Sequence, residues 1–414
     1  TQPPPGGSTF YDVPSQLDEQ NTYTNVFGWT WNNSDKIFGF ITDPGAFGSA
    51  IDVHNDTEGD DLWTWYQQYL RTGNSIARTW AQRWRDYFVN VYPNDVVNDD
   101  YNFDYDHIYG SGLILWGVKE NDPAAIAAAE SIGDIAIGEM GGVYPSPAGS
   151  TGYGGGRGIA RYLILFTHLA EATQKSKWIG WRDALIDRYA NATNWQEAPT
   201  MGIVQGGHYF VDRDWMSLNG QGGTAAYDAG RRSNSTFITG LHAEAVWRAY
   251  LATGRTDMRD KLIKMARFME YYGHIPNHLV PFTGSFFGHE NGVRWHREGD
   301  NAANSSYDAS VVNTLVWGYK LTGDSNLLAR AKIHFRQATR WAEGQPAGGQ
   351  GSLVSANDVY AFVDTLPNPD QIFFTHNKGQ LQYTYQLFEN GGNPTVEGTP
   401  DTTPPATPTG LMVN

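Results

Sequence analysis

Short runs rich in acidic, aromatic and other polar residues recur along the chain, and each lies directly before a segment with helical periodicity. These runs span 52–65, 99–112, 152–158, 228–235, 294–308 and 375–378. Histidine, tyrosine and carboxylates can transfer protons near neutral pH, whereas arginine and asparagine can stabilise developing negative charge. The runs therefore predict a site for proton-transfer chemistry that several separate segments build together.

Within these runs we expect some residues to carry the chemistry and others to bind the substrate. The catalytic candidates are Tyr307, His107, Tyr109, Asn304 and Arg231. The substrate-binding candidates are His54, Trp63, Tyr105, Arg157, Arg232, Trp295, His296 and His376, and Trp65 is expected at the same rim. Aromatic rings stack on the apolar faces of pyranose rings while polar groups bind the hydroxyls. The pattern predicts a groove for a sugar polymer.

Several of these residues also have a structural interpretation. A single Asp in the first two runs can be the N-cap of the helix that follows, and His107 can be a structural histidine. The adjacent Arg231 and Arg232 precede a helix, where positive charge is unfavourable, so they require either a bound anion or a buried carboxylate. The glycines around Tyr153 do not indicate a phosphate loop, because no Lys-Ser/Thr pair follows them and no strand precedes them.

Metal binding is weakly indicated. The acidic run from Asp52 to Asp61 could bind Ca²⁺ through oxygen ligands, but its spacing does not match an EF-hand loop. We therefore expect a solvated acidic loop and keep Ca²⁺ as the alternative. The sequence has no His-x-x-x-His pair that would indicate zinc. We expect no metal ligands and no cofactor.

The composition excludes several classes of protein. The 414 residues include no Cys, which excludes disulfides, thiolate metal sites and cysteine nucleophiles. The formal net charge of −15 disfavours nucleic acid and anionic membranes as partners. No apolar run reaches the roughly 18–20 residues that a membrane-spanning helix needs. The first residues, Thr-Gln-Pro-Pro-Pro, are typical of a mature exported chain, so we expect a secreted protein whose partner is a polysaccharide.

The elements that must position the candidate residues are helical hairpins. The clearest hairpin has its first helix at 242–254 and its second at 257–272, where Leu262, Met265, Ala266 and Met269 form one apolar stripe. Comparable patterns occur at 60–91, 107–140, 157–195 and 310–341, with one more first helix at 379–390. Six first helices predict an all-α fold, an (α/α)6 toroid with a complete or incomplete ring of hairpins and long functional loops. The first helices are the more aromatic and less charged, so we expect them on the inside; a non-closed array of hairpins is the alternative.

The predicted domain boundaries follow from changes in composition. Residues 1–50 form an N-terminal extension that packs on the toroid, 51–391 form the (α/α) toroid catalytic domain, and 392–414 form a Pro/Thr-rich linker with the start of a further module. Residues 401–414 resemble the entry into the first strand of a fibronectin type III module. This resemblance implies that further modules of the same chain follow residue 414.

Two sequence patterns resemble those of (α/α)-toroid carbohydrate-active enzymes. These patterns are Asp-His-Ile-Tyr-Gly-Ser-Gly-Leu and Leu-x-x-Tyr-Leu-x-Thr-Gly, and the likeness is greatest to bacterial polysaccharide lyases over residues 50–390. The resemblance implies β-elimination in a uronic-acid-containing polysaccharide. Tyr307, His107 or Tyr109 would be the base and acid, and Asn304, His or Arg residues would neutralise the uronate carboxylate. The contiguous Asn-Asn-His-Ser-Tyr run of some alginate lyases is absent from this sequence.

Two other functions remain open at the sequence level. A glycoside hydrolase of the same fold would use paired carboxylates, Asp104 or Asp106 with Glu58 or Asp60. A non-catalytic glycan-binding protein, or another α/α protein such as an epimerase, is the third possibility. The acid-rich runs favour the hydrolase, whereas the paired arginines, Tyr307 and the histidines favour the lyase.

Overall fold

The computed structural model describes residues 60–73, 75–90, 110–140, 155–191, 195–197, 208–210, 232–272, 285–288, 294–295 and 308–331. Its helices are α1 (Asp61–Thr72), α2 (Ser75–Asn90), α3 (Ser111–Lys119), α4 (Pro123–Glu139), α5 (Gly155–Thr173), α6 (Ser176–Asn191), α7 (Thr236–Thr253), α8 (Thr256–Tyr272), α9 (Asp308–Thr322) and α10 (325–331). The strands are β1 (Trp195–Glu197), β2 (His208–Phe210), β3 (Arg232–Ser235), β4 (Ser285–Gly288) and β5 (Arg294–Trp295).

The helices pair in chain order into hairpins, and the hairpins pack side by side. The contacts α1·α2, α3·α4, α5·α6 and α7·α8 are within hairpins. The first helices also contact one another in succession, as α1·α3, α3·α5, α5·α7 and α7·α9. This two-layer arrangement confirms the predicted (α/α) toroid for the described hairpins. The predicted first helix at 379–390 lies outside the described residues.

The first helices form the inner layer, as predicted. All residues from Val312 to Gly318 on α9 are buried, so this helix is covered on every side. The second helices keep a solvent face, which on α2 includes Arg78, Gln82 and Arg83. We call α1, α3, α5, α7 and α9 the inner helices and their partners the outer helices.

A repeated turn ends three of the inner helices, α5, α7 and α9. The hydroxyl groups of Thr173, Thr253 and Thr322 donate to the carbonyl four residues earlier, at 2.7, 2.6 and 2.7 Å, and accept the N–H two residues later. The residue after each threonine has positive φ: Gly254 at 68° and Gly323 at 71°, but Gln174 at 55°. Glycine adopts this conformation without a steric cost, which is why it is the usual residue here. The predicted glycine stops are confirmed at Gly254 and Gly323.

The core lies between the two layers and contains most of the described tryptophans. The stripe of Leu262, Met265, Ala266 and Met269 is fully buried, as predicted. The prediction that Trp65 belongs to the groove rim is wrong: it is 3% exposed and stacks on Trp80 of α2, with ring centroids 5.7 Å apart. Trp65 faces the outer layer because it lies two residues after Trp63, about 200° further around α1.

Among the described residues, two small antiparallel sheets lie in the connections between helices, and the all-α prediction did not include them. β1 pairs with β2, and β4 pairs with both β3 and β5. In the three-stranded sheet, Arg232 is opposite Gly288, and Phe287 is opposite Trp295. Because β3 leads directly into α7, this sheet is joined to the start of an inner helix.

Candidate functional site

A cluster of polar and aromatic side chains joins four inner helices, α1, α3, α5 and α7. We call it the inner-helix cluster, and its members are Asp60, Trp63, Ser111, His168, Glu244 and Arg248. Charged and imidazole groups are expensive to bury unless they have partners, so a group of them inside the inner layer is chemically distinctive. The contacts below connect all six.

Asp60 caps α1 and reaches across to α3. Its backbone is left-handed, with φ 50°. Its Oδ1 accepts a hydrogen bond from the N–H of Trp63 at 3.1 Å, and its Oδ2 accepts one from the N–H of Gly112 at 2.9 Å. The capping role that the sequence offered for single Asp residues is therefore confirmed at Asp60. Burial raises the pKa of this carboxyl to about 6, against the lowering effect of the backbone N–H groups.

The two helix starts approach so closely that only glycine fits between them. A Cβ on Gly112 would lie 2.4 Å from the backbone nitrogen of Trp63 and 2.6 Å from Oδ1 of Asp60. Gly112 therefore allows the contact that places Trp63 of α1 beside Ser111 of α3.

His168 on α5 completes this part of the cluster. Its Nδ1 lies 2.8 Å from Oγ of Ser111, and its ring stacks on Trp63 with centroids 6.1 Å apart and planes inclined by 12°. Burial, and secondarily the positive charge of Arg248, holds the pKa of His168 well below its usual range. The imidazole is therefore neutral near neutral pH.

Arg248 brings a positive charge to the same place. Its guanidinium carbon lies 5.7 Å from the centre of the Trp63 ring, a cation–π distance. Its Nη2 lies 3.4 Å from Oε1 of Glu244, one turn earlier on α7. The side chain of Arg248 is 3% exposed and that of Glu244 is 14% exposed, so the carboxylate is on the more open side of the pair.

The cluster is not closed on all sides. Trp63, Ser111 and Glu244 are partly exposed, whereas Asp60, His168 and Arg248 are buried behind them. Trp63 and Ser111 lie in the first turns of α1 and α3. Solvent therefore reaches the indole, the serine and the carboxylate in part, whereas the imidazole and the guanidinium are buried.

A second buried histidine has a different setting. His242 on α7 accepts or donates a hydrogen bond of 2.5 Å between its Nδ1 and the hydroxyl of Tyr189 on α6. Burial raises the pKa of Tyr189 well above its usual range. Because both side chains are buried where an outer helix packs on an inner one, the pair joins the two layers.

The structure places some of the predicted site residues. Trp63 is in the inner-helix cluster, and Arg157 is in the first turn of α5. Arg232 on β3 and Trp295 on β5 belong to the three-stranded sheet, whose strand β3 leads into α7. The other candidates lie outside the described residues: Tyr307, His107, Tyr109, Asn304, Arg231, His54, Tyr105, His296 and His376, with Glu58, Asp104 and Asp106 of the hydrolase alternative.

Sequence reasoning missed Ser111, His168, Glu244 and Arg248. A signal was present, because His168 and Arg248 interrupt the most apolar stretches of their helices. Residues four apart, such as Glu244 and Arg248, lie on one helix face. Polar residues inside an apolar inner helix are informative because burial has a cost that a partner must offset.

Among the described residues, no three His, Asp or Glu side chains form a group that could hold a metal ion. None of the helices in the same ranges is long and apolar enough to cross a bilayer.

Neither a protein-family model nor a curated protein matches this chain. Among solved structures, it is similar to a cellobiose 2-epimerase from Spirochaeta thermophila DSM 6192, with TM-score 0.48 and 14% identity over 89% of this chain and 96% of that one. A sugar epimerase from a ruminal bacterium has TM-score 0.47 and 14% identity, over 77% of this chain and 84% of that one. An unsaturated glucuronyl hydrolase from Streptococcus agalactiae has TM-score 0.45 and 12% identity, over 89% and 90% of the two chains.

Proposed function

We propose that the protein is a carbohydrate-active enzyme that cleaves a uronic-acid-containing polysaccharide by β-elimination. The observation that carries this proposal is the contact of Trp63 with both His168 and Arg248. An aromatic platform, a neutral imidazole and a guanidinium are the three kinds of group that a uronate-cleaving site needs.

The reaction explains why these groups belong together. A base removes the proton from C5 of the uronate, the C5–H electron pair forms the C4–C5 double bond, and the bond from C4 to the bridging oxygen breaks. The departing oxygen takes a proton from an acid. Negative charge develops on the uronate carboxylate during proton removal, so a nearby cation lowers the barrier. Arg248 supplies positive charge at the base of the site, and the exposed part of the Trp63 indole is the part that a sugar ring can contact.

The predicted catalytic residues complete the proposal. Tyr109 precedes Ser111 by two residues in the sequence, and Tyr307 directly precedes Asp308, the first residue of α9. We assign the base and acid to Tyr307, His107 and Tyr109, and contact with the carboxylate to Asn304 and Arg231.

Glycoside hydrolysis is the second candidate, and one observation favours it. A carboxyl whose pKa is about 6, as at Asp60, is partly protonated near neutral pH and has the proton affinity of a general acid. Against this role, both Asp60 oxygens accept backbone N–H groups, which uses them for capping. Hydrolysis is therefore the less favoured candidate. Without Asp60, its paired carboxylates would be Asp104 or Asp106 with Glu58.

We further propose that the protein is secreted, that its partner is the polysaccharide, and that a fibronectin-like module follows the toroid. The acidic net charge is compatible with an anionic substrate because salt screens charges beyond about 8–10 Å, leaving the local arginine to act on the substrate.

The decisive experiment is incubation with a panel of uronate polysaccharides while two signals are followed together: the short-wavelength ultraviolet absorbance of the C4–C5 double bond conjugated to the carboxylate, and the reducing ends. Elimination gives both signals, because each cleavage leaves an unsaturated uronate. Arg248→Met should reduce kcat/KM by about 100-fold or more, because it removes the charge beside the carboxylate. Arg83→Met is the matched control: Arg83 is on the outer face of α2, over Trp80, and its loss should leave kcat/KM unchanged.

The other outcomes separate the alternatives. Reducing ends without the absorbance would replace elimination by hydrolysis. Binding of the polysaccharide with neither signal would make the protein a glycan-binding protein. A Tyr307→Phe variant that binds substrate but no longer turns it over would support Tyr307 as a proton-transfer residue, and full activity in that variant would remove it from the mechanism.

A further inference from the structure

The contact between Ser111 and His168 is a feature that the proposed reaction leaves unused. Oγ of Ser111 lies 2.8 Å from Nδ1 of His168, and the two residues belong to different inner helices, α3 and α5. Ser111 is partly exposed, whereas His168 is 1% exposed. The serine therefore lies between the open side of the cluster and the buried imidazole.

Two contacts together fix the His168 ring. Stacking on Trp63, with planes inclined by only 12°, restrains the plane of the imidazole. Stacking alone does not distinguish the two edges of the ring, because a half-turn about the Cβ–Cγ bond exchanges them and preserves the plane. The hydrogen bond with Ser111 makes that distinction by binding Nδ1.

The position of Ser111 is itself restrained. Asp60 accepts a hydrogen bond from the N–H of Gly112 at 2.9 Å, and the N–H of Ser111 also contributes to lowering the pKa of that carboxyl. Ser111 is thus held by its own backbone and by its neighbour's. The backbone that carries the Ser111 hydroxyl is therefore fixed relative to the start of α1.

The Ser111 bond also couples the tautomer of His168 to the direction of the hydroxyl group. A neutral imidazole has one N–H and one lone pair, and a hydroxyl can donate or accept. If the hydroxyl donates to Nδ1, hydrogen is on Nε2; if it accepts from Nδ1, the lone pair is on Nε2. Each direction of the hydroxyl therefore goes with one tautomer and one role for Nε2.

We propose that Ser111 is a positioning residue that holds His168 in a single tautomer and ring orientation, so that its Nε2 offers one fixed hydrogen-bonding role during proton transfer by the residues assigned as base and acid. The statement about the tautomer concerns the protein without substrate. The statement about proton transfer rests on the proposed function.

Nitrogen-15 NMR of the histidine side chains tests the first statement without any substrate. His168→Gln identifies the His168 signals by their loss. The full chain should give His168 signals of one neutral tautomer near neutral pH, and Ser111→Ala should convert them to an exchange-averaged mixture. Ser111→Thr retains a hydroxyl and should restore one tautomer. Ser131→Ala is the matched control, because the Ser131 hydroxyl binds the carbonyl of Ala127 on the exposed face of α4.

Two NMR results would overturn the proposal. One is a mixture of tautomers, or a charged imidazole, at His168 in the unchanged protein. The other is a single tautomer that stays the same in Ser111→Ala. Thermal unfolding of each variant shows whether the fold is retained, and Ser111→Thr keeps the test informative if Ser111→Ala does not fold.

Kinetics on a cleaved polysaccharide test the second statement. Ser111→Ala should lower kcat by about 10-fold or more with little change in KM, and should alter the pH dependence of kcat, because the imidazole is then free to take either tautomer. Full kcat in His168→Gln would refute the role in proton transfer. If no polysaccharide is cleaved by the unchanged protein, the proposed function fails while the NMR result still decides the tautomer.

Discussion

The carboxylate of Asp60 bridges the starts of two inner helices by accepting the N–H of Gly112 at 2.9 Å while it caps its own helix. The bridge explains why three residues far apart in the sequence, Trp63, Ser111 and His168, come together. Capping fixes the first turn of α1, the bridge fixes α3 against it, and His168 then packs on the side chains of both.

Gly112→Ala should weaken this contact. The added Cβ would lie 2.4 Å from the backbone nitrogen of Trp63, and backbone cannot move aside cheaply. We expect a loss of about 2–3 kcal/mol in the free energy of unfolding, measured by urea denaturation. Gly138→Ala on α4 is the control, since its Cβ would meet nothing within 4 Å. Equal effects in the two variants would contradict the close approach.

The buried Asp60 carboxyl should give the protein a recognisable pH dependence. The pKa of this carboxyl is about 6 in the folded protein, against 3.8 for an ordinary aspartate, so the folded state holds the proton more tightly. The stabilising contribution is complete below pH 3.8 and is lost as the pH rises through about 6.

The Asp60 contribution amounts to about 3 kcal/mol between the two limits. It is measured as the difference in unfolding free energy between the unchanged protein and Asp60→Asn, from about pH 4 to about pH 7. The Asp60→Asn variant should become more stable relative to the unchanged protein as the pH rises, because Asn carries no charge. A difference that is constant with pH would show that Asp60 does not titrate in this range.

Gln174→Gly should stabilise the turn between α5 and α6. Gln174 has φ 55°, in the position that glycine occupies after α7 and α9. Removing the Cβ relieves a left-handed strain of about 1 kcal/mol, partly offset by the greater freedom of glycine in the unfolded chain. We expect a small rise in Tm by calorimetry, with Gln174→Ala giving none. Gly254→Ala should lower Tm. A fall in Tm in Gln174→Gly, or a rise in Gly254→Ala, would refute the comparison of these turns.

Asp122 connects the start of α4 to Arg85 of α2 and to Trp116 of α3. Its Oδ1 accepts the N–H groups of Ala124 and Ala125 at the start of α4, and its Oδ2 binds Arg85 of α2 and the indole N–H of Trp116. Burial alone would raise the pKa of Asp122, but the bonds from Arg85 and the backbone outweigh it and lower the pKa.

Asp122→Ala should therefore cost about 2–3 kcal/mol in unfolding free energy, because a cap and an ion pair are lost together. Asp122→Asn keeps an oxygen for the cap and should cost less. Chemical denaturation of both variants at neutral pH provides the measurement, and equal losses would mean that the cap contributes nothing.

Trp63 should contribute to substrate binding if the proposed function holds. Removing the indole in Trp63→Ala should raise KM by about tenfold, since a stacked aromatic pair contributes on the order of 1 kcal/mol beyond the buried area. Trp63→Phe keeps a ring and should have a smaller effect. Initial rates at varied polysaccharide concentration measure both, and an unchanged KM in Trp63→Ala would exclude stacking at this position.

The sequence was sufficient for the features that depend on neighbours along the chain. The hairpins, the stripe from Leu262 to Met269 and the stop at Gly254 follow from a period of 3.6 residues and from the conformational freedom of glycine. The capping role of Asp60 was available as an alternative for the same reason. The number of hairpins and the inner position of the first helices then indicated a toroid.

Tertiary structure decided which residues meet. Ser111, His168 and Arg248 come from three helices that are separated by long connections, and periodicity gives the face of a helix without giving the helix it faces. The sheet that pairs Arg232 with Gly288 also joins distant segments that are too short to show a strand pattern. Burial decides the state of these side chains, because only the folded chain removes water from them. His168 becomes a neutral imidazole, and the Arg248 cation lies against Trp63.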